Sequence, residues 1–220
     1  MNILALETAT DACSVALSIN GETRQRFQIA PQRHTELLLP MVGELCAEAG
    51  LALPALDVIA VSVGPGAFTG VRVATALAQG LAFAFELPVL GISTLAALAL
   101  GGYRVSGVRD WLVMQDARRS ELYWAHYAID PLHHEAQLVA PEAVSAPAAV
   151  VLPAGQTWDV VGSGWAIYAE QTSTSAGLPA ASKLLWPEAQ DLIPQAIQGL
   201  KAGLQQRPET LAPVYLRPAV

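Results

Sequence analysis

The sequence predicts an α/β protein built from two similar halves, the second of them shortened. The first half has the element order β-β-β-α-β-α-β-α, and a second unit that begins near Arg109 follows a shorter and less distinct version of that order. Of the 220 residues, 53% are hydrophobic and 14% are charged, so the chain can bury a sizeable core and is not disordered. We place the halves at residues 1–106 and 107–220.

The first three strands are predicted to form an antiparallel meander. Residues 3–8 are a short apolar run, and residues 12–19 alternate between apolar and polar side chains. Asn20-Gly21 favours a tight hairpin turn because both residues tolerate positive φ. The third strand, residues 23–29, is more polar, as expected at the edge of a sheet.

Two helices of the first half have unusually wide apolar surfaces. Residues 33–49 carry apolar side chains over a wider arc than one packing surface requires, and residues 73–85 carry no charge at all. A helix that is apolar all round must be buried on more than one side, so we expect these helices to meet another subunit. The candidate interface residues are Leu38, Met41, Val42, Leu45, Thr69, Arg72, Val73, Leu77 and Leu81.

The rest of the first half alternates buried strands with helices. The strands are predicted at residues 57–63 and 88–92. The Gly64–Gly70 turn lies between them and leads into a helix over residues 71–85. A further helix is predicted to be capped by Thr94 and to end at Gly101-Gly102.

The second half is predicted to hold fewer elements. They are strands at 111–115 and 121–128 joined by the DARRS segment, a short helix plus loop within 141–153, and a strand from Asp159 that ends in the glycine turn Gly162-Ser163-Gly164. The last helix is predicted over 188–204, and Pro194 either falls inside it or marks its true start.

The Gly64–Gly70 turn is the most specific local motif. A glycine turn that opens a helix can cradle a phosphate, and Thr69 can cap that helix. The segment lacks the Gly-Lys-Ser/Thr ending of a P-loop and the dinucleotide spacing, so a structural turn is favoured over anion binding. Arg72 lies in the first helical turn, where it opposes the helix dipole, and therefore indicates an anion nearby, within the protein or across an interface.

The charge balance excludes several functions. With 12 Lys and Arg against 19 Asp and Glu and no basic cluster, the chain should not bind nucleic acid by itself. The longest uncharged run, residues 87–103, is interrupted by proline and glycine, and no leader precedes the first strand, so we expect a cytoplasmic protein that does not span a membrane. The four histidines and two cysteines lack the spacing of a metal site or a nucleophile, so no catalytic, cofactor-binding or metal residues are predicted.

Five segments together resemble the TsaB (YeaZ) family over essentially the whole chain: ILALETATDACSVAL near the start, HTELLLP at 34–40, GPGAFTGVRV at 64–73, DARRSELYWA at 116–125 and PVYLR at 213–217. The resemblance implies the actin-like ATPase fold (ASKHA, ribonuclease H-like). It also implies a non-catalytic scaffold subunit for the N6-threonylcarbamoyladenosine modification of tRNA. Relatives pair through their N-terminal helices with the catalytic subunit TsaD, and the ATPase TsaE binds that pair.

Two questions follow from this resemblance. We expect the isolated chain to form a homodimer and to meet tRNA only through the complex, and whether a nucleotide lies at a subunit junction is left open. The alternative is an enzyme on the same fold, an ATP-dependent transferase or a metallopeptidase, with Glu7, Asp116 and Gly162-Ser163-Gly164 as its candidate site.

Overall fold

The computed structural model describes residues 1–152, 158–172 and 184–217. The first half is built on a five-stranded sheet in the order β3-β2-β1-β4-β5. Its strands are β1 (Asn2–Glu7), β2 (Ala12–Ile19), β3 (Glu22–Ile29), β4 (Val58–Ser62) and β5 (Val89–Ile92). The first three strands are antiparallel, whereas β4 and β5 run parallel to β1. The predicted meander and the two buried parallel strands are confirmed.

Helices cover both faces of this sheet. On one face, α1 (His34–Ala49) and α2 (Phe68–Phe85) pack over the apolar side chains of β1, β2 and β4. The opposite face is covered by α3 (Thr94–Ser106) and α5 (Leu192–Lys201). Because α5 comes from the end of the chain, the second half returns to complete the core of the first.

The second sheet repeats the pattern in shortened form. Its order is β10-β6-β7-β8, and β9 pairs with β7. The strands are β6 (Asp110–Asp116), β7 (Leu122–Asp130), β8 (Glu135–Leu138), β9 (Ala143–Ser145) and β10 (Asp159–Val161). β6, β7 and β8 are antiparallel and β10 is parallel to β6, as β4 is to β1. Within the described residues this sheet has no counterpart of β5.

The halves share one layered core. α3 and α5 lie between the two sheets, and side chains of β6 and β7 such as Trp111 and Tyr127 pack against them. The outer face of the second sheet is covered by the short helix α4 (Ser163–Tyr168) and by Trp158. The division predicted after residue 106 falls between α3 and β6.

Three predicted helix boundaries in the first half are wrong. α2 starts at Phe68 rather than residue 71, with Ala67 as its N-cap, so Thr69 lies inside the helix and does not cap it. Ser93 rather than Thr94 caps α3, since its Oγ accepts hydrogen bonds from the amides of Leu95 at 3.1 Å and Ala96 at 3.4 Å.

α3 also continues through Gly101-Gly102 to Ser106. A Cβ on Gly101 would lie 2.5 Å from a Leu184 methyl, and one on Gly102 would lie 2.7 Å from the Trp111 ring. These glycines therefore allow close packing and do not end the helix.

The second half holds less helix than predicted. The 141–153 segment forms β9 and a 3-10 turn over Pro147–Ala149, and residue 153 lies outside the described residues. The last helix begins only at Leu192, after a 3-10 turn over Ala189–Asp191, because Pro194 lacks the amide hydrogen that an interior helical position requires.

A C-terminal strap, residues 206–217, runs from the edge of β5 past α2 to the second half. Gln206 and Val89 exchange two backbone hydrogen bonds of 2.9 and 3.0 Å, and the Val214 amide donates to the Val63 carbonyl at 2.7 Å. Between these points the Gln79 side-chain amide donates to two strap carbonyls. The strap is thereby fixed to the first half along most of its length.

One buried ion pair secures the start of α5 to α3. Arg104 Nε lies 2.7 Å from Asp191 Oδ1, and its Nη2 lies 3.0 Å from Oδ2. The Asp191 side chain is only 3% exposed. Burial raises the pKa of this carboxyl to about 6 even though Arg104 opposes the shift.

We expect Arg104→Ala to lower the free energy of unfolding at pH 8 by about 3 kcal/mol, because it leaves a buried carboxylate without its partner. The loss should shrink at pH 5, where Asp191 can take up a proton. Arg24→Ala, which removes a surface pair with Glu48, is the matched control and should cost less than about 1 kcal/mol. Urea unfolding at the two pH values measures both, and equal losses for the two variants would contradict the prediction.

Candidate functional site

A cleft of about 950 Å³ lies between the two halves. From the first half it is lined by the β1–β2 loop, the glycine turn and the start of α2. From the second half it is lined by the β6–β7 hairpin and α4, and the strap closes one side. Its walls combine aromatic and apolar side chains with several charged groups; among the residues that line it are Phe68, Tyr123, Trp186, Tyr215, Arg72, Arg118 and Asp116.

The glycine turn packs directly on the β1–β2 loop. A Cβ on Gly66 would lie 2.3 Å from the Ala9 carbonyl oxygen, and one on Gly70 would lie 2.0 Å from the Thr8 carbonyl oxygen. The Ala67 amide donates to the Ala9 carbonyl at 2.7 Å, and the Thr8 hydroxyl donates to the Gly70 carbonyl at 2.7 Å. These contacts support the structural interpretation of the motif, because the loop occupies the space that a phosphate would need.

Glu7 lies at the end of β1, beneath this loop. Its side chain is fully buried, Oε1 accepts a 2.5 Å hydrogen bond from the Ala9 amide, and Oε2 accepts no hydrogen bond from the residues that the structure describes. Burial raises the pKa of the carboxyl to about 7, although the Ala9 amide and the Ser62 hydroxyl lower it. Glu7 is not among the residues that line the cleft, so it does not face a ligand there.

The two carboxylates that line the cleft form ion pairs with one arginine. Arg118 places its guanidinium 3.1 Å from Asp116 of its own half and 3.1 Å from Asp11 of the other half. The hairpin that carries it is left-handed at three successive residues, with φ of 60, 55 and 58° at Arg118, Arg119 and Ser120. A metal ion that bridged these two carboxylates would have to displace Arg118.

The second glycine turn is also committed to packing. A Cβ on Gly162 would lie 2.4 Å from the Met114 carbonyl oxygen. Ser163 Oγ accepts hydrogen bonds from the Gln115 side-chain amide at 2.9 Å and from the Asp116 amide at 3.3 Å. Glu7, Asp116 and this turn therefore do not come together as a cation and phosphate site.

The four histidines are dispersed. His34 is buried at the start of α1, and His126 is buried between Trp124 and Trp158. His133 Nδ1 lies 2.7 Å from Asp130 Oδ2, and the His134 ring contacts the Tyr103 ring edge-on. Within the described ranges, no three His, Cys, Asp or Glu side chains converge as a metal site would require. The expectation that the protein needs no metal stays a prediction.

Arg72 stacks on the Phe68 ring where it lines the cleft, and the Tyr215 ring lies to one side of it. Its Cζ lies 3.2 Å from the centroid of the Phe68 ring and 5.1 Å from that of Tyr215. No ion pair joins Arg72 to a carboxylate in the part of the chain that the structure describes. The described residues therefore do not supply the anion that the position of Arg72 indicates. The remaining sources are a group across an interface and a group bound in the cleft.

Sequence reasoning missed both aromatic partners of Arg72. The sequence places Phe68 in the Gly64–Gly70 turn. The PVYLR segment supports the family resemblance, but it predicts no role for Tyr215. Only the fold brings the strap back to α2, so no local pattern could have placed Tyr215 there.

Four of the predicted interface residues belong to the protein's own core. Leu38, Met41, Val42 and Leu45 are all buried against the first sheet and α2, with at most 8% exposure, so they offer a partner little surface. The apolar arc of α1 is wide because the helix contacts two neighbours of its own chain, the sheet and α2. A subunit contact at these four positions stays a prediction.

The remaining five candidates lie on α2. Thr69 and Arg72 are exposed, and Val73, Leu77 and Leu81 are half-buried. We define the outer face of α2 as Thr69, Arg72, Ala76, Gly80 and Phe83, all of them exposed at helical spacing. Phe83 is 72% exposed, and a Cβ on Gly80 would meet nothing within 4 Å.

By length and composition, α2 could pass for a membrane span. Its Ala74, Ala78 and Ala82 are completely buried, and the cluster they belong to includes side chains of β1 and β4. One side of α2 is thus part of the folded α/β core, and the apolar character of its other side needs a separate explanation.

Two halves that each join an antiparallel meander to a parallel strand across a central cleft define the actin-like ATPase fold, whose halves are ribonuclease H-like. Residues 27–217 match a family model described as TsaD, tRNA N6-adenosine threonylcarbamoyltransferase. The tRNA threonylcarbamoyladenosine biosynthesis protein TsaB of Escherichia coli is 38% identical, with 99% of this chain and 95% of that protein covered. The Haemophilus influenzae TsaB is 35% identical over 78% of this chain and 76% of that protein.

Among solved structures, YeaZ from Pseudomonas aeruginosa is 42% identical and superposes with a TM-score of 0.92 over 98% of this chain and 99% of that one. The chain belongs to the TsaB (YeaZ) family and therefore has a role in tRNA threonylcarbamoyladenosine biosynthesis. The family and the fold predicted from the sequence are both confirmed.

We expect Gly70→Ala to destabilise the protein by about 3 kcal/mol or more, because its Cβ would collide with backbone rather than with a flexible side chain. Gly43→Ala is the matched control: it lies on the exposed side of α1 with open space around it and should stabilise by about 1 kcal/mol. Chemical denaturation of both variants measures this. A Gly70→Ala protein as stable as the wild type would show that the loop and the turn do not need this contact.

We expect the wild type to lose about 3 kcal/mol of stability between pH 4.5 and 8 through Glu7. The sign follows from the raised pKa: the folded state holds its proton up to about pH 7, whereas the unfolded chain releases it near 4.5. Glu7→Gln removes this ionisation, so its stability should fall by about 3 kcal/mol less than that of the wild type over the same range, the loss through Asp191 being common to both proteins. Unfolding measured across the pH range tests this, and parallel curves for both proteins would show that Glu7 does not titrate as expected.

Proposed function

We propose that this protein is a non-catalytic accessory subunit that pairs through the outer face of α2 with a TsaD-like catalytic subunit, and that a TsaE-like ATPase binds the pair. The carrying observation is the exposed outer face itself. It combines a 72% exposed phenylalanine, a glycine with open space around it and an arginine that forms no ion pair with the described residues, all on one side of a helix whose opposite side is buried.

The energetics of α2 support a partner on this face. A glycine in the middle of a helix costs about 1 kcal/mol relative to alanine, and nothing in the described chain requires the absence of a Cβ at Gly80. Small residues at Ala76 and Gly80 allow another helix to approach closely, and the flanking Phe83 offers apolar area to bury there. A docked helix accounts for all three residues together.

The cleft supports the accessory role over the enzymatic alternative. Its carboxylates are neutralised by Arg118, and both glycine turns are filled by packing contacts with the chain's own backbone. The protein would therefore contribute surface and not chemistry to the modification of tRNA.

The other partners follow from charge and exposure. We propose that tRNA is held by the complex, since a chain with a net charge of −7 offers little attraction to phosphates. The isolated chain would form a homodimer through the same outer face, as an incomplete substitute for the catalytic subunit. A cytoplasmic location fits a role in tRNA modification.

Reconstitution tests the proposal. Analytical ultracentrifugation with the purified catalytic subunit should give a heterodimer, and tRNA modification by the catalytic subunit and the ATPase should require this chain. The isolated chain should neither modify tRNA nor bind ATP and magnesium tightly in calorimetry. A monomer that ignores the catalytic subunit, or tight stoichiometric ATP binding by the isolated chain, would contradict it.

Gly80→Trp should weaken binding of the catalytic subunit by at least 10-fold, because the indole would occupy the space of the approaching helix. Gly80→Ala should instead stabilise the isolated protein by about 1 kcal/mol with little loss of binding. Val105→Trp, at an exposed position of α3, is the matched control and should bind normally. Surface plasmon resonance with the immobilised catalytic subunit measures all three, and undiminished binding by Gly80→Trp would place the contact elsewhere.

A further inference from the structure

Resting on the proposed function, we infer that Arg72, stacked on Phe68 and flanked by Tyr215, is the charged anchor of the outer face of α2 and receives the carboxylate of an Asp or Glu side chain of the catalytic subunit.

The charge of Arg72 is uncompensated within the described chain. It lies in the first turn of α2, where the helix dipole disfavours a cation, and it has no acidic residue within ion-pair distance. Its one polar contact is a long 3.5 Å hydrogen bond to the Phe68 carbonyl. The chain carries seven excess negative charges, yet none of the Asp and Glu side chains in the described ranges pairs with this arginine.

The stacking geometry leaves the donor edge of the guanidinium available. A Cζ that lies 3.2 Å from the Phe68 ring centroid means that the aromatic face covers the plane of the guanidinium and not its N–H edge. That edge matches a carboxylate in a two-point hydrogen-bonded pair. A cation so arranged is suited to a carboxylate that arrives from outside the chain.

The aromatic support is held by the strap. The neighbouring Val214 amide bonds to Val63 at 2.7 Å, and Arg217 reaches the Ala117 carbonyl at 3.2 Å and also pairs with Glu121. Tyr215 lies between these two attachments, with its ring centroid 5.9 Å from that of Phe68. Because the strap is fixed on both sides of Tyr215, the side chain of Arg72 is ordered before a partner arrives, which reduces the entropy lost on binding.

The composition of α2 favours the catalytic subunit over a second copy of this chain. From Phe68 to Phe85 the helix contains no carboxylate, so an antiparallel contact between two α2 helices along the outer face would bury Arg72 opposite uncharged residues. A buried cation without a partner is costly. A different subunit that places an acidic residue at this point satisfies Arg72, which distinguishes the heterodimer from the homodimer.

The test compares the two associations. Arg72→Ala should weaken binding of the catalytic subunit by about 30-fold or more, and reduce its salt dependence, while the homodimer dissociation constant changes by less than about 3-fold or tightens. Arg72→Lys should fall between the wild type and Arg72→Ala because an ammonium cannot form the two-point pair. Arg33→Ala, which removes an exposed arginine already paired with Glu36, is the matched control and should bind normally.

Charge reversal identifies the receiving residue. Arg72→Glu should abolish binding, and conversion of the acidic surface residues of the catalytic subunit to arginine, one at a time, should restore it at one position. Tyr215→Leu should weaken binding of the catalytic subunit by a smaller factor than Arg72→Ala does, because it removes the aromatic support and not the charge. Its melting temperature should be unchanged.

Each outcome decides the inference. Arg72→Ala affinity within 3-fold of the wild type overturns it, as does an equal loss of homodimer and heterodimer. If Gly80→Trp still blocks binding in either case, the proposed function stands without this anchor. If the wild-type chain does not bind the catalytic subunit at all, the proposed function itself fails.

Discussion

The close backbone contact between the β1–β2 loop and the start of α2 is the constraint on which the rest of the structure depends. Carbonyl groups of Thr8 and Ala9 lie where a Cβ at Gly70 or Gly66 would be, so only glycine permits the approach. This contact fixes where α2 begins and therefore which of its sides faces the sheet. The cleft wall and the outer face of α2 both follow from it.

The same contact separates this cleft from one built for a nucleotide. In the actin-like fold the loop after the first strand and the glycine turns are the parts able to surround phosphates. Here those parts contact each other, Arg118 joins the carboxylates of the two halves, and the buried Glu7 does not line the cleft. The fold keeps the architecture of an ATPase, but the two carboxylates of its cleft are paired with Arg118, which agrees with the proposed accessory role.

The two apolar helices, α1 and α2, show what composition alone can predict about a helix surface and what it cannot. Both have more apolar surface than one sheet contact needs, and from the sequence both were predicted to meet a partner. The additional apolar surface of α1 packs against α2 of the same chain, whereas Gly80 and Phe83 of α2 remain exposed. A count of apolar residues cannot distinguish these cases, because the difference lies in which neighbour occupies each side of the helix.

The sequence by itself determined the α/β class, the order of strands in the first half, the shortened second half and the family. These depend on local periodicity, on turn residues such as Asn20-Gly21 and on motifs that are contiguous in the chain. Only the tertiary structure decided the buried placement of Leu45, the bridge from Arg118 to both halves, and the position of Tyr215 over Arg72. Those features join residues up to 143 positions apart, Arg72 to Tyr215 being the longest, and a local pattern carries no information about which distant segment will come to lie beside it.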